Sequence, residues 1–254
     1  MSELTLRPTH TAVMIGRCLR LSSRNIDALL TSLLLPVILM VLFVYLFGGA
    51  IETGSAYVTY VVPGVLLLCA GFGAAGTAVS VTMDLTNGMI ERLRTMDVDA
   101  TSILTGHVVA SVARNAVSTV LVLGVAVAIG FRPAVAPLRW LAAAGVLLLF
   151  LLAVSWLSAA FGLLARTPEA ANGYTFLVMF LPYPSSAFVP VETMPSWLRG
   201  FAEHQPVTPV IESLRGLLLD TPVGTAPTQA AAWCVGLLAL AVLLSGVLFR
   251  RRLA

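Results

Sequence analysis

Charged residues are scarce in this chain. It carries 15 basic and 12 acidic residues among 254, whereas a soluble domain charges about a quarter of its residues. Hydrophobic residues make up 58% of the sequence, and its mean hydropathy is +0.95. Because so few charges cannot cover a water-soluble core of this size, most of the apolar surface must face lipid. The sequence therefore predicts an integral membrane protein.

Lysine is absent altogether, and all 15 basic residues are arginine. A phosphate-binding loop of the form G-x-x-x-x-G-K-[ST] needs its lysine to reach the β- and γ-phosphates of a nucleotide. The chain cannot supply such a loop. We therefore expect no cofactor in this chain, and any nucleotide hydrolysis has to come from a partner.

Residues for catalysis and metal binding are equally sparse. The three cysteines have no C-x-x-C spacing and no neighbouring histidine, so they are interpreted as small hydrophobic residues rather than zinc ligands. The three histidines (His10, His107 and His204) fall outside the predicted membrane spans, and neither H-E-x-x-H nor G-x-S-x-G occurs. We expect the chain not to be an enzyme, and no basic patch interleaved with aromatic residues indicates nucleic acid.

Six stretches reach the length of about 20 apolar residues that a helix needs to cross the hydrocarbon core. Because backbone groups find no water there, helices are the expected spanning form and the fold class is all-α. The predicted spans are 28–47, 56–83, 108–130, 140–165, 170–189 and 229–249. They leave a cytoplasmic N-terminus (1–27), a six-span domain (28–249) and a short C-terminal tail (250–254).

The arginines are distributed unevenly between the segments that connect these spans. With the N-terminus inside, 11 of the 15 lie on the cytoplasmic side, so the positive-inside rule favours cytoplasmic termini in a bacterial-type plasma membrane. The segment from His10 to Asn25 places Arg17, Arg20 and Arg24 at helical spacing, which predicts an amphipathic helix at the inner interface. Its role as an anchor, a gate or a docking surface is left open by this periodicity.

The longest predicted cytoplasmic loop covers residues 84–107. Asn87 and Gly88 form a turn signal, and a short amphipathic helix with an apolar stripe follows. The stripe consists of Met89, Ile90, Leu93 and Met96. Asp99, Thr101 and Ser102 are candidate caps for the next span. By composition alone the charges of this loop are interpreted as an ordinary solvated cluster.

The predicted outer loop, residues 190–228, is too polar to span but rich in apolar side chains. One short helix is expected to start at Pro195 and Ser196, and a second has Thr208 as its N-cap and Pro209 at its first position. This outer helical hairpin would dip into the outer leaflet, either as a roof or as an interfacial belt. Just before it, Pro182 and Pro184 are expected to kink or break the fifth span.

A few polar residues fall inside the predicted spans, near their inner ends. Arg114 and Asn115 lie in the third span, and Asn172 and Tyr174 lie in the fifth. These four are candidates for a substrate path. For Arg114, snorkelling to the inner surface is an equally good interpretation.

Two segments resemble those of a known family. The stretch from Asp84 to Asp99, read DLTNGMIERLRTMDVD and followed by ILTG at 103–106, is similar to the cytoplasmic coupling region of type-two ABC exporter permeases. The stretch PSSAFVP at 184–190, followed by MPSWLR at 194–199, QPVTP at 205–209 and LRG at 214–216, resembles the segment after their fifth span. The daunorubicin-resistance permease branch is the most similar, and the resemblance extends over nearly the whole chain.

This resemblance implies a transmembrane subunit that pairs with a second permease copy, identical or homologous, and with two separate ATPase subunits that bind ATP and Mg. It implies that Arg17, Arg20 and Arg24 belong to an interfacial gate helix. It also implies a coupling helix that fits a cleft of the ATPase, with the residues Asn87, Gly88, Glu91, Arg92, Leu93, Arg94 and Asp97.

The cargo is inferred from the walls of the path. Nearly uncharged spans suit hydrophobic or amphipathic compounds, drugs or lipids, rather than ions. Polysaccharide or glycolipid export stays open because members of the family handle such cargo. A non-transporting scaffold for an ATPase and a passive channel are alternatives, although the channel would need a polar pore lining that this sequence hardly provides.

Overall fold

A computed structural model describes residues 3–51, 56–96, 98–133 and 135–252, without the side chains of residues 3–9, 27–29, 31–33, 94 and 100. Within that part the chain is helical and contains no strand, as the predicted all-α class requires. Its α-helices are α1 (Glu3–Arg24), α2 (Ile26–Leu42), α3 (Tyr57–Thr86), α4 (Met89–Arg94), α5 (Ala100–Ala128), α6 (Pro137–Leu164), α7 (Pro168–Phe180), α8 (Ser196–His204), α9 (Val207–Leu219) and α10 (Ala226–Arg252).

Four helices in the described part are long and apolar enough to cross a membrane. They are α3, α6, α10 and the portion Thr101–Ala128 of α5. Helix α2 continues into a π-helical turn, Phe43–Phe47, so that residues 26–47 form a stretch about 33 Å long. The coarse prediction of a multi-pass helical membrane protein is therefore confirmed, and the number of six spans stays a prediction.

Helix α3 lies at the centre of the bundle, against α2, α5, α6, α7 and α9. In its most apolar 18-residue window 89% of the residues are buried, against 22% for α10. Glycines permit this close packing, since a Cβ on Gly64 would lie 2.6 Å from the Cβ of Ala187. A Cβ on Gly162 of α6 would lie 2.5 Å from the carbonyl oxygen of Ala78. Small residues at such contacts let helices approach where no hydrophobic effect drives them together.

The helix expected over residues 170–189 is shorter than predicted. Helix α7 starts at Pro168, where the Thr167 hydroxyl caps it by accepting a hydrogen bond from the amide of Ala170, and it ends at Phe180. Its 13 residues cover about 20 Å, less than the hydrocarbon core. The expected break is present, because Pro182 and Pro184 cannot continue the helix. Residues 181–188 instead form turns that pack against α3.

The hairpin of α8 and α9 differs from the prediction at its second start. Helix α9 begins at Val207 with Pro206 as its N-cap, not at Pro209. The Thr208 hydroxyl does not cap it, since it donates to the carbonyl oxygen of Ala202 at 2.6 Å. Nine residues of α9 are buried, and the helix packs on α3, α6 and α10. Its apolar side therefore belongs to the protein core rather than to an interfacial belt.

The segment 84–107 contains less loop than predicted. Helix α5 begins at Ala100, directly after the candidate cap Asp99, so its first two turns take up the end of the predicted loop. Asp99 holds the N-cap position, but its carboxylate accepts a hydrogen bond from Thr101 instead of capping the helix. His107 consequently lies inside α5 and is 7% exposed, contrary to the expectation that all three histidines lie outside the spans.

Candidate functional site

The end of α3 turns sharply into α4. Asn87 terminates α3, and Gly88 has a φ of +68°, a left-handed conformation that glycine adopts without steric cost. The turn signal read from Asn87 and Gly88 is therefore confirmed. This geometry places a six-residue helix directly at the end of the most buried helix of the bundle.

Helix α4 is held by its apolar side and presents its charges to solvent. Ile90 is fully buried and Leu93 nearly so, in a cluster formed with Met14, Val81, Ile103, Leu104, Val108, Ala159, Leu163 and Phe249. Glu91 and Arg92 are exposed. Met96, expected on the apolar stripe, is 60% exposed because α4 ends at Arg94. The side chain of Arg94 and the whole of Asp97 lie outside the described residues.

An ion cluster joins α1, α3 and α5 beside this turn. Asp84 Oδ2 accepts a hydrogen bond from Arg17 Nη1 at 2.8 Å and contacts His107 Nε2 at 3.1 Å. Asp84 Oδ1 accepts a second bond from Arg17 Nη2 at 3.1 Å. These hydrogen bonds raise the pKa of the Arg17 guanidinium above its ordinary value. The bidentate pair fixes α1 on the end of α3.

The other two arginines of α1 do not share this position. Arg20 bonds back to its own helix through Nε and the carbonyl oxygen of Gly16, and both Arg20 and Arg24 are exposed. The opposite side of α1 buries Met14 and Cys18, and burial raises the pKa of the Cys18 thiol to about 11. Helix α1 thus packs on α5, and its location at the inner interface stays a prediction.

Arg114 and Asn115 are neighbours in α5 with different surroundings. The Arg114 guanidinium is bound by α1 and α3. Its Nη1 donates to Ser22 Oγ at 2.7 Å, and its Nη2 donates to the carbonyl oxygen of Gly73 at 3.1 Å and to Thr77 Oγ1 at 3.4 Å. Asn115 is fully buried and donates to the Ser111 carbonyl oxygen. No Cβ would fit at Gly73, which lies against the Asn115 amide. Asn115 therefore packs between α5 and α3, and its role in a substrate path stays a prediction.

A cavity of about 740 Å³ lies between α1, α2, α3, α5 and α7. We name it the α1 cavity. Its lining includes Arg17, Leu21, Ser22, Leu35, Phe72, Thr77, Asp84, Asn87, His107, Arg114, Asn172 and Met179. Two of the four predicted path residues, Arg114 and Asn172, are thus brought together. Tyr174 is 40% exposed and contacts the ring of Phe161, away from this lining.

Three side chains of this region were not assigned a role from the sequence. The sequence pattern assigns no contact to Asp84, His107 or Ser22. The signal for Asp84 is that it is the one acidic residue in the 30-residue α3, where an unpaired carboxylate would be costly. His107 and Ser22 carry no such signal, because only packing brings them to Asp84 and Arg114. In the described part of the chain no group of three or more His, Cys, Asp and Glu side chains could hold a metal ion.

Known proteins are similar to this chain over most of its length. Residues 9–219 match the family described as ABC-2 type transporter. The chain is 30% identical over 211 residues to the daunorubicin resistance ABC transporter permease protein DrrB1 of Streptomyces coeruleorubidus, covering 82% of this chain and 72% of that protein. It is 23% identical over 247 residues to the probable doxorubicin resistance ABC transporter permease protein DrrC of Mycobacterium tuberculosis, covering 95% of this chain and 88% of that protein.

The family match runs from within α1 to the end of α9, so the resemblance stated from the sequence is confirmed. Permeases of this kind are not ATPases, and the ATPase activity lies in a partner subunit. This agrees with a chain that has no lysine for a phosphate-binding loop. The chain belongs to the ABC-2 type transporter family and is a transmembrane permease subunit of an ABC exporter.

Proposed function

We propose that the chain exports hydrophobic or amphipathic compounds, drugs or lipids, and that α4 couples this export to a separate ATPase. The cargo class is supported by the names of the similar permeases, which refer to daunorubicin and doxorubicin resistance. It is also supported by the apolar character of the helices around the bundle. Two ATPase subunits binding ATP and Mg, and a second permease copy, complete the proposed complex.

The observation that carries the coupling role is the two-sided character of α4. Ile90 and Leu93 are buried in the bundle, while Glu91 and Arg92 face solvent one turn or less away. A push on the exposed side would therefore reach α3, α5 and α6 through packed side chains. Asn87 and Gly88 form the turn that sets the angle of this lever. Arg94 and Asp97 are assigned to coupling by the family resemblance alone.

The proposed orientation puts α4, α1 and both termini in the cytoplasm of a bacterial-type cell. It is supported by the positive-inside rule, since 11 of the 15 arginines then lie on that side. In this arrangement Arg17, Arg20 and Arg24 belong to a gate helix at the inner surface. Arg17 ties the helix to Asp84, and the exposed Arg20 and Arg24 are left for lipid headgroups or the ATPase.

Coupling is tested with the double variant Glu91→Ala/Arg92→Ala, reconstituted in vesicles with the ATPase. We expect the flux of a fluorescent hydrophobic cargo to fall about tenfold or more, because the lever loses its polar contacts with the partner. The stimulation of ATP hydrolysis by cargo is expected to disappear in the same preparation.

The matched control is Arg132→Ala/Glu203→Ala, which removes the same two charges from exposed positions at the other end of the bundle. It is expected to leave flux and stimulation unchanged. Cargo-stimulated hydrolysis that persists in the α4 variant would contradict the coupling role. A wild-type complex that assembles but moves no cargo would favour the scaffold instead.

A further inference from the structure

The charges around the α1 cavity do not cancel. Among the residues whose side chains the structure describes, Asp84 is the only carboxylate in its lining, and both of its oxygens already accept hydrogen bonds from Arg17. His107 contacts one of the same oxygens. The cation that remains is Arg114, on the wall formed by α5. The cavity therefore has an excess of positive charge.

Arg114 has only neutral partners. Its three hydrogen bonds go to a serine hydroxyl, a threonine hydroxyl and a backbone carbonyl oxygen. No carboxylate among the described residues lies within ion-pair distance of its guanidinium. An arginine placed within a spanning helix is costly, and such residues usually pair with an anion. A planar guanidinium with five donors is suited to bind a phosphate or a carboxylate bidentately.

Apolar side chains from four helices also line the cavity. Leu21 of α1, Leu35 of α2, Phe72 of α3 and Met179 of α7 all line it. A ligand that reaches Arg114 would thus have hydrocarbon surface beside its charged group. The volume of about 740 Å³ falls within the range of small-molecule sites, about 300–1,000 Å³. One cation and several apolar side chains together define a site for an amphiphile.

We propose that the α1 cavity binds the anionic headgroup of a membrane amphiphile, with the phosphate or carboxylate on Arg114 and the hydrocarbon chain against Leu35, Phe72 and Met179. The inference goes beyond the proposed function: it assigns a ligand to this cavity and leaves the proposed cargo class as it is. A cationic amine would meet the charge of Arg114 and find both oxygens of Asp84 occupied by Arg17.

Binding is tested on the purified full-length chain by displacement of a fluorescent phosphatidylglycerol, without ATP or the partner ATPase. The competitors are dodecyl phosphate, dodecylamine and inorganic phosphate. We expect dodecyl phosphate to displace the lipid at about tenfold lower concentration than dodecylamine, the effect of one charge-assisted hydrogen-bonded pair. Equal displacement by the two amphiphiles would overturn the proposal, and displacement by inorganic phosphate at the same concentration would identify a free-anion site instead.

Two variants attribute the preference to Arg114. Arg114→Gln removes the cation. Ser22→Asp keeps Arg114 but places a carboxylate beside it, because the wild-type Ser22 hydroxyl lies 2.7 Å from Arg114 Nη1. Each is expected to abolish the preference for dodecyl phosphate. The second variant adds an ion pair, so it is expected to fold even where the first does not.

Ser23→Asp is the matched control, since it introduces the same charge one residue further along α1, at an exposed position outside the cavity lining. It is expected to keep the preference. A preference that persists in both Arg114→Gln and Ser22→Asp would overturn the assignment. A chain that binds the anionic amphiphile but transports no cargo with its ATPase would contradict the proposed function alone.

Discussion

The two ends of α3 hold an arginine in different ways. Near Asp84, Arg17 forms a bidentate ion pair beside a cavity. Near Tyr60, about 36 Å away along the helix, Arg215 lies 3.8 Å from the centre of the Tyr60 ring and donates to the carbonyl oxygens of Tyr60 and Ser186.

The first cation is thus held by side chains, which can exchange partners, and the second by backbone and a ring in a packed core. We name these the α4 end and the hairpin end. The cavity of about 740 Å³ and the exposed charges of α4 lie at the α4 end, whereas Arg215 at the hairpin end lines a smaller cavity of about 220 Å³.

The largest expected loss of stability comes from breaking the packing at the hairpin end. In Gly64→Val the new side chain would meet Ala187, whose Cβ would lie 2.6 Å from the added Cβ. Overpacking of this kind costs up to about 3 kcal/mol. We expect a lowered thermal midpoint in detergent micelles.

Gly145→Val on α6 is the control for this substitution, since nothing lies within 4 Å of a Cβ there. Its thermal midpoint is expected to stay close to that of the wild type. Equal midpoints for Gly64→Val and wild type would mean that α3 and the segment 181–188 do not pack closely.

The next effect compares two ion pairs of similar length. Arg17 and Asp84 are 2.8 Å apart and about a fifth exposed, whereas Arg139 and Asp220, at the hairpin end, are 2.6 Å apart and 40% and 61% exposed. Asp84→Asn is expected to cost about 2 kcal/mol, because the Arg17 guanidinium loses a shielded charge partner. Asp220→Asn is expected to cost less than about 0.5 kcal/mol, because solvent screens that pair.

Denaturant titration of the two variants in the same detergent measures this difference. Asparagine tolerates the left-handed backbone of residue 220, where φ is +57°, so no strain is added in that control. Similar losses in the two variants would show that burial does not distinguish the pairs.

The smallest predicted effect concerns a single hydrogen bond at the hairpin end. The buried Tyr57 hydroxyl donates to the carbonyl oxygen of Phe188 at 2.9 Å. Tyr57→Phe leaves that oxygen without this donor and is expected to cost about 1 kcal/mol. Tyr45→Phe, at a position 72% exposed, is the control and is expected to leave the thermal midpoint unchanged. A Tyr57→Phe midpoint equal to that of the wild type would contradict a role for this bond in closing the hairpin end.

Much of the fold was predictable because lipid imposes a simple rule on sequence. Long runs without charge, such as those of α3, α6 and α10, have to be helical, and their ends agree with the predicted spans within four residues. The break after Phe180 was predictable from Pro182 and Pro184, and the turn before α4 from Asn87 and Gly88. These features depend on local backbone chemistry alone.

The caps of α5 and α9 were mispredicted for a common reason. In both places a polar residue, Asp99 or Thr208, indicated a cap or a loop. In the folded chain the Asp99 carboxylate instead accepts from Thr101, and the Thr208 hydroxyl donates to the carbonyl oxygen of Ala202. The sequence also did not indicate that Arg17 has a different partner from Arg20 and Arg24, because the spacing of all three places them on one face of α1. Only the position of Asp84 selects Arg17.

The sequence by itself determined the class of the molecule: an all-helical membrane protein without its own phosphate-binding loop, with a charged turn of the kind found in ABC exporter permeases. Few charges and long apolar runs require helices in a membrane, and the absence of lysine excludes a phosphate-binding loop. Tertiary structure alone decided which polar side chains meet. Residues as distant in sequence as Ser22 and Arg114, or Arg17 and Asp84, become neighbours only when α1 packs on α5, because contacts between helices depend on packing geometry that no local pattern encodes.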